Sequence, residues 1–187
     1  MNIRDYKKIM IIGNNGSGKS YLSEQISAIT QIPVFHLDLE YWQPNWQPLS
    51  EEDWTKKQNE LVSKEQWIID GNYTETLDIR FKQADLIIFL NLNRFICLSS
   101  VLRRRKKKRI DFPNYLDYKF DKEFISFCKR LLDFPKSRKK VILALHDEYP
   151  QKEFLTLNKR YVVNKTIKHW KEEIDNYETG IKKHPTV

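Results

Sequence analysis

Short runs of consecutive apolar residues alternate along the chain with segments in which apolar residues recur every three or four positions. The runs predict buried strands, and the segments between them predict amphipathic helices. The strand candidates are residues 8–12, 33–37, 67–69, 86–90 and 154–157. Strands that alternate with helices form parallel sheets with helices on both faces. We therefore expect an α/β fold of three layers.

Helix signals follow most of these strands. Leu22, Ile26 and Ile29 have helical spacing, and Ser50 before three acidic residues is typical of a helix N-cap. The segment from residue 41 to 49 carries two prolines and predicts a loop. Further helices are predicted at residues 77–81, from about 94 into the cationic run at 103–109, and at 120–131, 137–149 and 163–174.

Composition bounds the class of protein. The 187 residues are enough for one ordinary domain, and 40% hydrophobic residues exclude wholesale disorder. The two cysteines exclude a disulfide scaffold. No apolar run approaches the ~20 residues of a membrane span, and no apolar signal core follows the N-terminal charges. We therefore expect a soluble cytoplasmic protein that does not contact membranes.

The strongest motif is the segment GNNGSGKS at residues 13–20, which matches G-x-x-x-x-G-K-[ST] in full. Glycines let backbone N–H groups approach phosphate oxygens, and the N-terminus of the helix that follows adds further donors. Lys19 is expected to bridge the β- and γ-phosphates, and the Ser20 hydroxyl to ligate Mg²⁺. The predicted nucleotide-binding residues are Gly13, Asn14, Asn15, Gly16, Ser17, Gly18, Lys19, Ser20 and Tyr21.

Two aspartates follow predicted strands, at the edge of a parallel sheet where ligands collect. We expect Asp70 to hold Mg²⁺ through water, or else to belong to an ordinary Asp-Gly turn. Asp38 either joins the metal, accepts a proton from an attacking hydroxyl, caps a helix, or is a solvated acid of a loop. His36 is interpreted as a packed side chain rather than a catalyst, and Glu40 is a weaker candidate than either aspartate.

Several segments together resemble a known group of proteins. Besides residues 13–20, they are HLD at 36–38 with YW at 41–42, WIIDGNY at 67–73, TLDIR at 76–80 and VLRRR at 101–105. In this order they resemble the bacterial DNA-topology-modulation proteins, a group similar to adenylate kinase and shikimate kinase. The resemblance runs from about residue 8 to 157, and the WIIDGNY segment is its most family-specific part.

The resemblance implies a P-loop NTPase fold, with a parallel five-stranded sheet of order 2-3-1-4-5, and ATP as phosphoryl donor. Asp70 matches the aspartate on the metal side. Arg103 and Arg105 match a lid that closes on the transferred phosphate, and Arg160 lies in the loop beside adenine. We expect one domain over residues 1–187, with a small acceptor-side flap at about 40–65 and a lid-like basic segment at about 102–118.

The chain departs from related nucleotide kinases on the acceptor side. No arginine occurs between Arg4 and Arg80, and Thr74 stands where those kinases carry one. A monophosphate acceptor is therefore in doubt, unless Arg80 or the lysines at 56 and 57 compensate. The aromatic residues Tyr41, Trp42, Trp46 and Trp54 either stack on a flat acceptor or pack a helical flap.

The net charge of +8 comes almost entirely from seven consecutive cations at residues 103–109. They form a lid over phosphates, a nucleic-acid contact, or a solvated helix end. The function predicted is transfer of the ATP γ-phosphate to an unidentified small acceptor, with Lys19, Asp38, Arg103 and Arg105 as catalytic residues. The alternative is nucleotide-dependent DNA binding that modulates topology, without kinase activity.

Overall fold

The computed structural model describes residues 1–43, 47–105 and 122–178, and its centre is a parallel sheet of five strands. The strands are β1 (Lys8–Gly13), β2 (Val34–His36), β5 (Trp67–Asp70), β6 (Leu86–Leu90) and β7 (Glu153–Leu157). A separate antiparallel pair is formed by β3 (Trp42–Gln43) and β4 (Gln47–Pro48). The sheet order is β2-β5-β1-β6-β7, which becomes the predicted 2-3-1-4-5 when the hairpin strands are left out of the numbering.

The α-helices of the described residues are α1 (Lys19–Thr30), α2 (Leu37–Tyr41), α3 (Glu51–Ser63), α4 (Leu77–Gln83), α5 (Arg94–Arg105), α6 (Lys122–Asp133), α7 (Arg138–Glu148) and α8 (Arg160–Glu178). The helix predicted from residue 94 is α5, and the one predicted at residues 137–149 is α7. The predicted positions Trp46, Phe120 and the cations 106–109 lie outside the described residues. None of the helices in the described ranges is long and apolar enough to cross a bilayer.

Two hydrophobic layers cover the sheet because alternate strand residues point to opposite faces. Ile9 and Ile11 of β1 pack with α1 and α8, whereas Met10 and Ile12 pack with α3, α4 and α7. A smaller cluster joins α5 to α6. The result is the expected three-layer α/β architecture, whose strands all end toward the loop after β1.

The second strand is shorter than predicted. It ends at His36, and α2 begins at Leu37, whose side chain is fully buried under the sheet. Asp38 and Glu40 lie in the first turn of this helix, where carboxylates interact favourably with the helix dipole. The loop expected at residues 41–49 contains the β3–β4 hairpin instead. The predicted N-cap is present, because Ser50 Oγ accepts the Asp53 N–H at 3.1 Å.

Candidate active site

The loop between β1 and α1 lies against the neighbouring strand and against α5. Gly13 has φ 149°, and a Cβ there would lie 2.6 Å from the Leu90 carbonyl oxygen. Gly16 has φ 81°, and its Cβ would overlap the Cys97 carbonyl oxygen. Only glycine fits these two positions, because both the backbone conformation and the space exclude a side chain. The close approach explains why the motif has glycines at these two positions.

Lys19 lies at the first turn of α1 and folds back over the loop. Its Nζ donates to the Gly13 carbonyl at 3.1 Å and to the Asn14 carbonyl at 3.3 Å. Burial lowers the pKa of this ammonium, while the charges of Asp70 and Asp38 act in the opposite direction. The lysine is therefore held by neutral carbonyl oxygens beside two carboxylates, and a phosphate would offer it a stronger partner.

Ser17 provides a direct test of whether this loop suits a polyphosphate. The residue is 5% exposed, and its buried Oγ has no hydrogen-bond partner among the described residues. A Cβ built on Gly18 would meet no atom within 4 Å, so the loop has open space beside the start of α1. A buried donor without a partner, a lysine and the N-terminus of a 12-residue helix together fit a bound polyanion.

Asp70 lies at the end of β5, next to His36 at the end of β2, because the two residues are paired in the parallel register. Its Oδ2 accepts the Ser23 hydroxyl at 2.8 Å and lies 2.6 Å from His36 Nδ1. The other ring nitrogen of His36 lies 3.0 Å from Glu24 Oε1. The hydrogen bond to Asp70 is the main cause that raises the pKa of His36 to about 9, so this ring is charged at neutral pH.

The donor set for a divalent cation is small. Ser20 at the start of α1 and Asp70 are the predicted ligands, and both contacts of Asp70 use Oδ2, which leaves Oδ1 for a coordinated water. Within the described ranges, no group of three or more His, Cys, Asp and Glu side chains forms a metal-binding cluster. The hydroxyl of Ser20 and the carboxylate of Asp70 are oxygen ligands of the kind that Mg²⁺ takes, with waters and phosphates as its other ligands.

The segment after β5 contributes contacts that sequence reasoning did not find. The side-chain amide of Asn72 accepts a hydrogen bond from the Gly13 N–H and donates one to the Gly13 carbonyl. The Tyr73 hydroxyl donates to Asp38 Oδ1 at 2.9 Å. Tyr73 has φ 38°, a left-handed conformation that is uncommon outside glycine. Both residues belong to the WIIDGNY segment, and that family-specific segment was the one available signal for them.

Arg80 explains how this segment keeps its shape. The guanidinium is fully buried and donates to the carbonyls of Gly71 at 2.8 Å, Asn72, and Tyr73 at 3.1 Å. Burial lowers its pKa, and the carbonyl dipoles compensate part of the lost hydration. The suggestion that Arg80 binds an acceptor phosphate is wrong for this arrangement, because its Nη donors face the backbone and no part of it reaches solvent.

Asp38 lies in the first turn of α2, where the Tyr73 hydroxyl fixes one carboxylate oxygen. Its negative charge acts to raise the pKa of Lys19, against the larger effect of burial. Glu40, two residues later, pairs instead with Lys57 of α3 at 3.2 Å. Lys57 also lies 3.9 Å from Glu60, so both of its ion pairs are with acids of this chain.

A cavity of about 190 Å³ lies beside the loop. It is lined by residues of the loop, α1 and α8, namely Ser17, Gly18, Tyr21, Arg160, Val163 and Asn164. Arg160 reaches across it to the Gly16 carbonyl at 3.5 Å and to the Ser100 hydroxyl. The predicted contacts Tyr21 and Arg160 thus share one cavity next to the phosphate loop.

Two predicted features of the acceptor side are described only in part. Arg103 is exposed near the end of α5, while the side chain of Arg105 and most of the lid-like segment at 102–118 lie outside the described residues. In the flap, the Tyr41 ring lies 4.9 Å from Trp54 and 4.8 Å from Tyr73, and Trp54 is 4% exposed. These three rings pack against one another, as the flap-packing alternative expects.

Comparison with solved structures identifies the fold. A shikimate kinase from Acinetobacter baumannii in complex with shikimate matches with a TM-score of 0.57 and 13% identity, covering 97% of this chain and 98% of that one. A gluconokinase from Sinorhizobium meliloti matches with a TM-score of 0.53 and 15% identity over 97% and 100% of the two chains. An unliganded sugar kinase from Janibacter sp. matches with a TM-score of 0.51 and 14% identity, covering 89% of this chain and 93% of that one.

These matches show that the chain has the P-loop kinase fold. No family model matches the sequence, and no curated protein matches it significantly. The resemblance to the DNA-topology-modulation proteins is not confirmed by these comparisons and stays a prediction.

Proposed function

We propose that this protein is an ATP- and Mg²⁺-dependent phosphotransferase that acts on a hydroxyl group of a small molecule. The observation that carries the proposal is the buried, unpartnered Ser17 hydroxyl beside Lys19, at the head of α1 in a P-loop kinase fold. A glycine-rich turn without a ligand would leave this donor unsatisfied at a cost of about 1–3 kcal/mol. The names of the structural neighbours, which are kinases of small hydroxyl compounds, support the same class.

The donor side of the proposed site follows from the loop. Backbone N–H groups of the loop that follows Gly13, the Ser17 hydroxyl and Lys19 bind the polyphosphate, and Tyr21 and Arg160 line the cavity next to it. Ser20 and Asp70 would hold Mg²⁺, which would neutralise charge on the phosphates. The His36 imidazolium fixes the orientation of the Asp70 carboxylate through the 2.6 Å contact.

On the acceptor side of the proposed site, the carboxylate of Asp38 accepts the proton. In the reaction the acceptor oxygen forms a bond to the γ-phosphorus, the bond from that phosphorus to the oxygen of the departing ADP breaks, and the hydroxyl proton passes to the Asp38 carboxylate. Tyr73 orients this carboxylate through its 2.9 Å hydrogen bond. Arg103 and Arg105 of the lid stabilise charge on the transferred group.

The resemblance of segments 36–38, 67–73 and 101–105 supports membership of the DNA-topology-modulation group. A cytoplasmic location also remains part of the proposal. The described residues add nothing to the alternative of nucleotide-dependent DNA binding, which still depends on the run at 103–109 alone.

The test is acceptor-dependent release of ADP by wild type and Lys19→Met, over a panel of hydroxyl compounds that begins with shikimate and sugars. We expect wild type to turn over at least one acceptor and Lys19→Met to lose ~100-fold or more of that rate, since the lysine charge is missing at the phosphates. Lys168→Met, a change at an exposed lysine of α8 that pairs with Glu172, is the matched control. Wild type without ATP binding, or Lys19→Met with wild-type turnover, contradicts the proposal.

A further inference from the structure

Asn72 holds both backbone groups of a single residue in the phosphate loop. Its Oδ1 accepts the Gly13 N–H at 3.0 Å, and its Nδ2 donates to the Gly13 carbonyl at 2.8 Å. The side chain is almost completely buried, with 6% of the residue exposed. A primary amide is suited to this task because it presents an acceptor and a donor side by side.

The Gly13 carbonyl also receives a second donor, the Lys19 ammonium at 3.1 Å. In the nucleotide-bound protein, the proposed role of Lys19 requires this ammonium to leave the carbonyl for the phosphates. A buried carbonyl that loses its last donor costs free energy, which would oppose ligand binding. Because Asn72 Nδ2 stays in place, the carbonyl keeps one donor when the lysine departs.

The amide is held in position by the backbone that carries it. The buried Arg80 guanidinium binds the carbonyl of Asn72 itself and those of the residues on either side, Gly71 and Tyr73. Asn72 therefore does not have to be ordered when a ligand arrives, and little conformational entropy is lost at that step.

We propose that Asn72 is a positioning residue for polyphosphate binding: it satisfies the Gly13 backbone so that Lys19 can exchange a carbonyl for the phosphates. The proposal rests on the proposed function, since it requires a polyphosphate at the loop. Asn72 lies outside the loop motif, and in this proposal it determines how readily Lys19 is released from the Gly13 carbonyl.

The first experiment titrates wild type, Asn72→Ala and Ser27→Ala with Mg-tripolyphosphate and Mg-ATP by calorimetry. We expect the Kd of Asn72→Ala to rise about tenfold for both ligands, the equivalent of one lost buried hydrogen bond. Ser27→Ala is the matched control, because it removes a donor to the Ile32 carbonyl, at 2.7 Å, at the far end of α1. Its Kd should stay within twofold of wild type.

The second experiment distinguishes this role from a general structural one by a double-mutant cycle on unfolding without ligand. Asn72 and Lys19 donate to the same carbonyl, so Asn72→Ala should destabilise the Lys19→Met protein more than it destabilises wild type. Additive effects, or a folded Asn72→Ala with wild-type affinity, overturn the proposal. If Asn72→Ala does not fold, Asn72→Ser replaces it, since one short hydroxyl cannot serve both backbone groups.

The two experiments distinguish failure of this inference from failure of the proposed function. Wild type that binds neither ligand overturns the proposed function and the role of Asn72 in binding together. Wild type that binds both ligands, with Asn72→Ala unchanged, overturns the role of Asn72 alone.

Discussion

His36 and Asp70 meet where β2 and β5 end, with His36 Nδ1 2.6 Å from Asp70 Oδ2. The parallel register brings them together although 34 residues separate them in sequence. The histidine carries the positive charge of the pair, and Glu24 lies at its other nitrogen. The sequence predicts a packed side chain rather than a catalyst at His36, and the structure adds that both ring nitrogens contact carboxylates.

The first prediction concerns the pH dependence of stability in Mg²⁺-free buffer. The pKa of His36 is raised in the folded protein to about 9. The stability that the charged histidine contributes is therefore fully present below the unfolded pKa of about 6.5 and is lost as pH rises toward 9. We expect wild type to lose about 3 kcal/mol of unfolding free energy across this window relative to His36→Asn, measured by urea denaturation. If the unfolding free energies of the two proteins change with pH in the same way, the charged pair of His36 and Asp70 is contradicted.

The second prediction concerns Arg80. Replacing it with Met leaves the buried carbonyls of Gly71 and Asn72 without this donor, while the Tyr73 carbonyl keeps the Thr76 N–H at 3.1 Å, so we expect the unfolding free energy to fall by about 3 kcal/mol. The matched control is Arg130→Met, a change at an exposed arginine of α6 that donates to the Ser126 hydroxyl at 2.9 Å. That variant should stay within about 0.5 kcal/mol of wild type. Equal losses in the two variants would show that Arg80 does not hold the 71–73 segment.

The third prediction separates the orientation of Asp38 from nucleotide binding. Tyr73→Phe removes the hydroxyl that donates to Asp38 and keeps the ring that packs on Tyr41. We expect kcat to fall about tenfold with the acceptor found in the panel, while the KM for ATP stays within twofold, since one hydrogen bond to the proposed base is lost. A raised KM with unchanged kcat would assign Tyr73 to substrate binding instead.

The fourth prediction tests the start of the helix that carries Trp54 and Lys57. Ser50→Ala removes the cap on the Asp53 N–H, so we expect a loss of about 1 kcal/mol in thermal or urea unfolding. Ser99→Ala is the matched control. The Ser99 hydroxyl donates to the Ile96 carbonyl at 2.9 Å within α5, where it does not cap a helix end. A Ser99→Ala loss as large as that of Ser50→Ala would argue against capping as the cause.

Much of the fold was predictable because it depends on local pattern. Short runs of consecutive apolar residues predict each strand of the central sheet, and the helical spacing of residues such as Leu22 and Ile26 predicts α1. The phosphate loop was predictable for the same reason: its glycines, lysine and serine are adjacent in sequence, and β1 and α1 on either side follow from their own periodicity. The hairpin at β3 and β4 was missed because two-residue strands have no periodicity to read.

The rest of the site was decided by tertiary structure. No local pattern reveals that Asn72 reaches Gly13 across 59 residues, that Arg80 serves three carbonyls rather than a ligand, or that Tyr73 binds Asp38. Sequence by itself determined which residue types and which elements occur, since those depend on neighbours three or four positions away. Only the parallel register of the sheet determined which distant side chains share hydrogen bonds, because those contacts form between chain segments brought together by the burial of the core.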